Sequence, residues 1–274
     1  MLVINPQNPG MNPAIPPDVH AEIMRRLART EREEGVRIVL AIESGSRAWG
    51  LASPNSDFDV RFIYARPADG YLAVDLEERR DVIEYPITDD IDLNGWDIRK
   101  ALRLFWKSNP AFVEWIQSPI TYIEAGDFAA GARELLPHVY ARESGIHHYR
   151  SMAKTTYRTH LQADNVSLKK YFYVLRPLLS VRWMERYATP APIEFGKLLH
   201  LVADQPELTA AIEDLLAQKR LAPELGLSEP VASINRFIEA ELARLEVIDP
   251  QRTQKPEVIA RLNALFQATL RERY

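Results

Sequence analysis

The sequence predicts an α/β fold in which a sheet with flanking helices is followed by an all-helical C-terminal domain. Apolar, β-branched runs that are typical of strands occur in the first half of the chain. From about residue 126 onward, the apolar residues recur at helical spacing instead. This segregation of strands from helices indicates two domains. We expect an extended, proline-rich arm over residues 1–17, a sheet-containing domain over 18–125 and a helical domain over 126–274.

The sheet-containing domain begins with a helix and then alternates strands with turns. The first helix is expected over 18–34, with Asp18 as its N-cap and Gly35 as its stop. A later helix is expected to be capped by Asn94 or Asp97. The strands are expected over 36–42, 58–64, 81–87 and 90–93.

The second half of the chain predicts six helices, several of which open with a proline in the first turn. Their late leucines are most simply explained as core, although a dimer surface stays open, and so does the oligomeric state. The helices are expected over 143–163, 167–187, 193–202, 206–220, 230–247 and 256–273.

Composition excludes several classes of protein. The chain has 274 residues, of which 46% are hydrophobic and 26% charged, as in ordinary globular proteins. A formal net charge of −4 does not fit a polycation that coats nucleic acid, and the lack of cysteine excludes disulfides and thiolate metal sites. With no long apolar run and no signal-peptide pattern, we expect a soluble cytoplasmic protein with no membrane partner.

Two acidic residues follow a strand–turn arrangement in the first domain. Asp57 and Asp59 project from the same face of a predicted strand, because side chains alternate along a strand. Two carboxylates this close repel each other unless a cation lies between them, and hard oxygen ligands favour Mg²⁺ or Mn²⁺. Gly45 and Ser46 follow the preceding strand, where backbone N–H groups and the Ser46 hydroxyl suit a triphosphate.

A third carboxylate is needed to complete a site for two metal ions. Asp92 lies between two apolar residues that are expected to face the core, so its side chain projects to the other side. If its strand neighbours the one with Asp57 and Asp59, the three acids converge and suit in-line attack on a phosphate. Asp90 is the alternative third acid. The competing interpretation of the aspartate pair, a loop end and a solvated strand position, is disfavoured by the Gly-Ser turn and the fixed spacer.

These residues resemble a known signature. Gly45-Ser46, ten further residues and then Asp57-Phe58-Asp59-Val60 are similar to the motif of the DNA-polymerase-β-type nucleotidyltransferase superfamily. The fuller string over 45–64 resembles one branch, the YcgL-like or RlaP group, which is associated with RNA-ligase repair pathways. The resemblance covers roughly residues 36–187 and includes the segments 92–97, 107–110, 114–115, 118–119 and 169–179.

The resemblance implies a polymerase-β-like nucleotidyltransferase domain over 18–125 and transfer of a nucleoside monophosphate from an NTP to an acceptor hydroxyl, with release of pyrophosphate. By the same resemblance, Asp57, Asp59 and Asp92 are the metal-binding and catalytic carboxylates, and Gly45 and Ser46 bind the nucleotide phosphates. Mg²⁺, or Mn²⁺, is the expected cofactor. The favoured acceptor is an RNA 3′ end, because of the repair-pathway resemblance.

A basic stretch in the second half is a candidate for nucleotide or RNA contact. Residues 141–186 hold nine Lys or Arg against three Asp or Glu. Lys169, Tyr173 and Arg176 fall at i, i+4 and i+7 on one helical face. With the resemblance, these three are candidates for nucleotide binding, and the basic face suits an RNA backbone. The alternative is a solvated helix face with core aromatics.

Two residues beside the Gly-Ser turn have open roles. Arg47 is a candidate for contacting the triphosphate or an acceptor phosphate; the alternative is a surface arginine paired with Glu43. Trp49 is expected to pack and fix the loop.

Two other functions remain open at this point. One is AMP transfer to a protein or a small molecule, which lack of RNA dependence favours. The other is an NTP- or RNA-binding module without turnover, which tight NTP binding without pyrophosphate release favours.

Overall fold

Five strands form the sheet that carries the candidate site. In the computed structural model, which describes residues 15–221, 226–246 and 256–272, the strand order is β3-β4-β2-β1-β5. Strands β2 and β4 are parallel, and the other neighbouring pairs are antiparallel. The strands are β1 (Arg37–Glu43), β2 (Phe58–Ala65), β3 (Val82–Glu84), β4 (Ile91–Asp97) and β5 (Thr121–Glu124).

Comparison with the sequence expectations shows where strand prediction succeeded. A strand is present at each of the four predicted places, but β3 covers only Val82–Glu84 of the predicted 81–87, and β4 extends beyond residue 93 to Asp97. Strand β5 was not predicted, because four residues are too few to show a period. Of the arm predicted over residues 1–17, residues 1–14 lie outside the part of the chain that the structure describes.

Both faces of the sheet are covered by helices. Helix α1 (Pro17–Glu34) packs on one face, where Val60 and Phe62 join its core. Ile63 points to the opposite core because side chains alternate along β2. Each buried apolar side chain of this size contributes about 1.5–3 kcal/mol. The opposite core is formed by α3 (Ile98–Trp106), α4 (Pro110–Ile116), α5 (Phe128–Val139) and α10 (Pro256–Arg271).

The helix ends confirm two of the three predicted stops and caps. Asp97 caps α3 by accepting a hydrogen bond from the backbone N–H of Arg99 at 2.8 Å. Gly35 ends α1 in the left-handed conformation, with φ of 61°. The prediction that Asp18 caps α1 was wrong: the N-cap is Pro16, which makes no side-chain bond. Pro17 occupies the first turn, where its fixed φ suits a helix start.

The helical half encloses a third core, to which Trp49 and Leu51 of the sheet domain also contribute. The predicted helix over 193–202 is a 3₁₀ helix, Phe195–Val202. A two-residue pairing of β6 (Val166–Ser167) with β7 (Leu227–Ser228) is the exception to the all-helical expectation, and it is too short to show in the sequence. The helices are α6 (Arg142–His160), α7 (Leu168–Tyr187), α8 (Pro206–Leu221) and α9 (Ala232–Leu245).

The final helix returns to the sheet. Helix α10 contacts α3 and α5, and Val258 and Leu262 are buried in the core beneath them. The sheet side therefore includes α5 and α10, which lie beyond residue 126 in the chain. Within the described ranges, no helix is both long and apolar enough to cross a bilayer.

Candidate active site

The parallel pairing of β2 with β4 brings the predicted acids to one end of the sheet. Asp59 and Asp92 are direct partners in the register. Asp57 is exposed and lies just before β2. Burial raises the pKa of Asp59, as do the charges of Asp92 and Asp57, while Arg61 opposes the rise. The alternative acid, Asp90, lies in the turn before β4, exposed and at φ of 58°.

Arg61, which the sequence analysis did not single out, lies between two of these acids. Its Nη2 donates to Asp59 Oδ1 at 3.1 Å and to Asp92 Oδ2 at 2.6 Å. Its Nη1 donates to the carbonyl oxygens of Val60 and Asp92 at 3.1 and 2.9 Å. The alternation of β2 puts Arg61 on the same face as Asp59, which is the signal that identifies it. One guanidinium therefore neutralises carboxylates from two strands.

The Gly45-Ser46 pair opens a short helix, α2 (Gly45–Ala48), directly after β1. Gly45 has φ of 57°, and a Cβ at this position would overlap the Asp59 carboxylate. The backbone N–H of Ser44 donates to the Asp59 carbonyl oxygen at 2.8 Å. Ser46 is half-buried in the first turn, where helical N–H groups have no intrahelical partners. The phosphate-loop candidates therefore adjoin the acidic strand.

Glu43, at the end of β1, is a buried carboxyl that supports this arrangement. Its Oε1 accepts a hydrogen bond from the backbone N–H of Asp59 at 3.0 Å. Its Oε2 accepts one from the Tyr122 hydroxyl at 2.6 Å. Burial raises the pKa of Glu43 to about 7, against the opposing effect of these hydrogen bonds. The side chain links β1, β2 and β5 without being exposed to solvent.

We expect Glu43→Gln to remove a pH dependence of stability between pH 5 and 8. In the wild type, the native state keeps a proton that the unfolded chain releases above pH 4.5, so stability falls as pH rises towards about 7. A shift of this size corresponds to about 3 kcal/mol, and a neutral glutamine abolishes it. Urea unfolding in metal-free buffer at several pH values measures the slope. Glu33→Gln, at an exposed pair with Arg29, is the control, and equal slopes in Glu43→Gln and wild type would contradict the prediction.

Arg47 is buried and braces the segment that leads to the acids. Its Nε donates to the Asp57 carbonyl oxygen at 3.1 Å and its Nη2 to that of Ser56 at 2.6 Å. Its guanidinium carbon lies 3.8 Å from the centre of the Phe58 ring, and its Nε lies 4.0 Å from Glu43 Oε1. Its donors thus fix the backbone before β2. A contact between Arg47 and a phosphate stays a prediction.

Helix α7 brings the predicted basic face to the segment 45–49, the candidate phosphate loop. Tyr173 meets Trp49 edge-to-face, with ring centres 5.3 Å apart. The guanidinium carbon of Arg176 lies 4.1 Å from the centre of the Trp49 ring. The positive charge of Lys169, which is exposed, acts on Asp59 to lower its pKa. Trp49 therefore packs as expected, and Tyr173 and Arg176 contact it, whereas Lys169 acts on Asp59 through its charge.

Arg176 differs from Lys169 in depth. Its side chain is 2% exposed, and its Nη2 donates to Glu114 Oε1 at 2.7 Å. The Tyr149 hydroxyl donates to the same oxygen at 2.8 Å. Among the residues that the structure describes, Arg176 Nε and Nη1 have no hydrogen-bond partner. Periodicity placed both cations on one face but carried no information on how deep each would lie.

We expect Arg176→Met to destabilise the protein by about 3 kcal/mol, because it leaves the carboxylate of Glu114, which is only 12% exposed, without its cation. Thermal and urea unfolding measure the loss. Arg186→Met, at an exposed position of the same helix, is the matched control and should change stability little. The double variant Arg176→Met/Glu114→Gln should recover much of the loss. A single variant as stable as the control would contradict this role.

The donor set fits one hard divalent cation. Asp57 and Asp59 offer carboxylate oxygens, and Mg²⁺ is commonly bound by one or two carboxylates with substrate phosphates and water completing its shell. Asp92 is engaged by Arg61 instead. In the part of the chain that the structure describes, no three acidic, histidine or cysteine side chains are grouped to hold a metal by themselves. The residues therefore suit a magnesium site completed by nucleotide.

Three comparisons with known proteins show what the chain is similar to. The family model described as "RNA repair pathway DNA polymerase beta family", RlaP, matches residues 19–268. The uncharacterized protein YcgL of Bacillus subtilis (strain 168) is 43% identical over 251 residues, which span 91% of this chain and 96% of that protein. A nucleotidyltransferase-like protein from Exiguobacterium sibiricum 255-15 aligns over 91% of this chain and 80% of its own, with 15% identity and a TM-score of 0.29. The extent of the family match and the identity to YcgL show that this chain belongs to the RlaP family of polymerase-β-like nucleotidyltransferases.

Proposed function

We propose that this protein is a Mg²⁺-dependent nucleotidyltransferase that moves a nucleoside monophosphate from an NTP to the 3′-hydroxyl of an RNA and releases pyrophosphate. The observation that carries the proposal is the contact between the Gly45 turn and Asp59, with Asp92 beside Asp59 in the sheet. Family membership supports the same reaction type. ATP is the NTP to test first. These substrates are found in the cytoplasm, which is the location we propose.

The roles follow from position. Asp57 and Asp59 would hold the metal, which supplies charge stabilisation at the phosphate oxygens. Gly45 and Ser46 seat the β- and γ-phosphates. Asp92 accepts the proton of the acceptor hydroxyl as its oxygen bonds to the α-phosphorus and the bond to the pyrophosphate oxygen breaks. These groups lie at one end of the sheet, where the acceptor hydroxyl could approach the α-phosphorus opposite the pyrophosphate oxygen, as in-line displacement requires.

The helical half carries cationic and aromatic groups that favour a polyanionic acceptor. Lys169 is exposed, and its charge reaches Asp59. Lys170 lies 5.1 Å from the centre of the Tyr173 ring, and Tyr173 in turn adjoins the phosphate loop through Trp49. A cationic edge with an aromatic ring beside the acids suits the backbone and terminal base of a single strand.

The acceptor is tested with four α-³²P-labelled NTPs and two forms of one short RNA. One form ends in a 3′-hydroxyl and the other in a 3′-deoxy nucleotide. We expect label in the hydroxyl RNA alone, in the presence of Mg²⁺, and the preferred base follows from the four reactions. Label on protein or on a small molecule without RNA would instead favour AMP transfer to those acceptors. Tight NTP binding without pyrophosphate release would favour a binding module.

A further inference from the structure

Arg61 occupies the space that a metal ion shared by Asp59 and Asp92 needs. Its Nη2 lies within hydrogen-bond distance of one oxygen from each carboxylate, at 3.1 and 2.6 Å. A cation that bridges the two acids through Asp59 Oδ1 and Asp92 Oδ2 would contact the same two oxygens. The guanidinium and a bridging metal ion therefore compete for one position.

The arginine is anchored and is not a passing surface contact. Its Nη1 is held by the carbonyl oxygens of Val60 and Asp92 at 3.1 and 2.9 Å. Its side chain is 19% exposed, less than the 28% and 27% of the two acids that it joins. Displacing it breaks four hydrogen bonds.

One part of Asp59 remains available for a metal ion. Arg61 contacts Oδ1, whereas Oδ2 faces Gly45 at the phosphate loop. Asp57 lies just before β2, is exposed, and is near enough for its charge to act on Asp59. A divalent ion at Asp57 and Asp59 Oδ2 would therefore adjoin the nucleotide phosphates without disturbing Arg61.

We propose that Arg61 is a built-in cation that replaces the metal ion between Asp59 and Asp92, so that the nucleotide-free protein binds a single divalent ion. This inference rests on the proposed function, because it concerns the metal of that reaction. Arg61 is then a positioning residue: it fixes Asp92 as a proton acceptor and keeps it out of the metal shell. Removal of Arg61 frees a second position for a divalent ion.

The number of bound ions tests the proposal without an activity assay. Mn²⁺ binding to nucleotide-free protein is followed by electron paramagnetic resonance of free Mn²⁺. We expect one ion per wild-type chain and two per chain in Arg61→Met. Arg99→Met, at the surface pair with Glu77, is the matched control and should bind one. Two ions in the wild type, or one in a folded Arg61→Met, would overturn the proposal.

A second pair of variants covers the case in which Arg61→Met does not fold. Asp92→Asn should keep the wild-type Mn²⁺ affinity, whereas Asp59→Asn should lose it. An equal loss in both would show that Asp92 is a metal ligand. That result would overturn the role proposed for Arg61 but would leave the proposed function standing. No Mn²⁺ binding, or binding unaffected by Asp57→Asn/Asp59→Asn, would instead remove the metal site and the proposed function with it.

Discussion

Asp59→Asn is expected to lower nucleotidyl transfer by about 10³-fold or more, while the protein remains folded. An amide cannot supply the charge that holds Mg²⁺, and this charge stabilisation contributes several kcal/mol to the transition state. Folding is preserved because the amide removes repulsion from Asp57 and Asp92 at the same time as it loses the ion pair with Arg61. Steady-state transfer of α-labelled NTP, with the midpoint of thermal unfolding, measures both effects.

Asp90→Asn is the matched control for this substitution. Asp90 is acidic, close in the chain to Asp92 and exposed, but it lies in the turn before β4 at φ of 58°. Asparagine tolerates that conformation at least as well as aspartate, so full activity is expected. If Asp59→Asn were as active as Asp90→Asn, Asp59 would not belong to the machinery of the reaction.

Gly45→Ala is expected to lose activity by about 10²-fold or more, because it displaces the groups that must be aligned. The added methyl group would overlap the Asp59 carboxylate, and alanine also resists the positive φ of 57°. The turn and the acid cannot both keep their places. Transfer kinetics and nucleotide binding, each measured on folded protein, report the displacement.

Gly35→Ala separates the two causes of the expected loss, which are the overlap with Asp59 and the strain of a positive φ. Gly35 has almost the same φ, 61°, but nothing lies within 4 Å of the added methyl group. It therefore carries the backbone strain alone, about 1–2 kcal/mol, and should leave transfer unchanged. Equal activity in Gly45→Ala and Gly35→Ala would contradict the close contact between the turn and Asp59.

The spacing of the sequence was sufficient to predict that the main candidate residues lie close together. Local rules relate Gly45 to the end of a buried strand and put Asp57 and Asp59 on one face. The placement of Asp92 needed one assumption, that its strand neighbours β2, and the parallel pairing confirms it. These inferences depend on the alternation of side chains along a strand and on the order of the elements, and both can be read from a single sequence.

The supporting charges depend on tertiary pairing and could not be derived in the same way. Arg61 meets Asp92 across 31 positions of the chain, and Arg176 meets Glu114 across 62 positions. A helical wheel gives direction but not depth, so Lys169 and Arg176 looked equivalent although one is exposed and the other buried. Short elements such as β5 and the β6–β7 pair form because of their neighbours and leave no period in the sequence.

The identity of the transferred group tests the central claim most directly. ATP labelled at the α-phosphate and ATP labelled at the γ-phosphate are each incubated with Mg²⁺, RNA and either wild type or Asp57→Asn/Asp59→Asn. We predict that wild type transfers the α-label to RNA and releases the γ-label as pyrophosphate, and that the double variant does neither. Transfer of the γ-label to RNA, or equal α-transfer by the double variant, would contradict a nucleotidyltransferase centred on these two carboxylates.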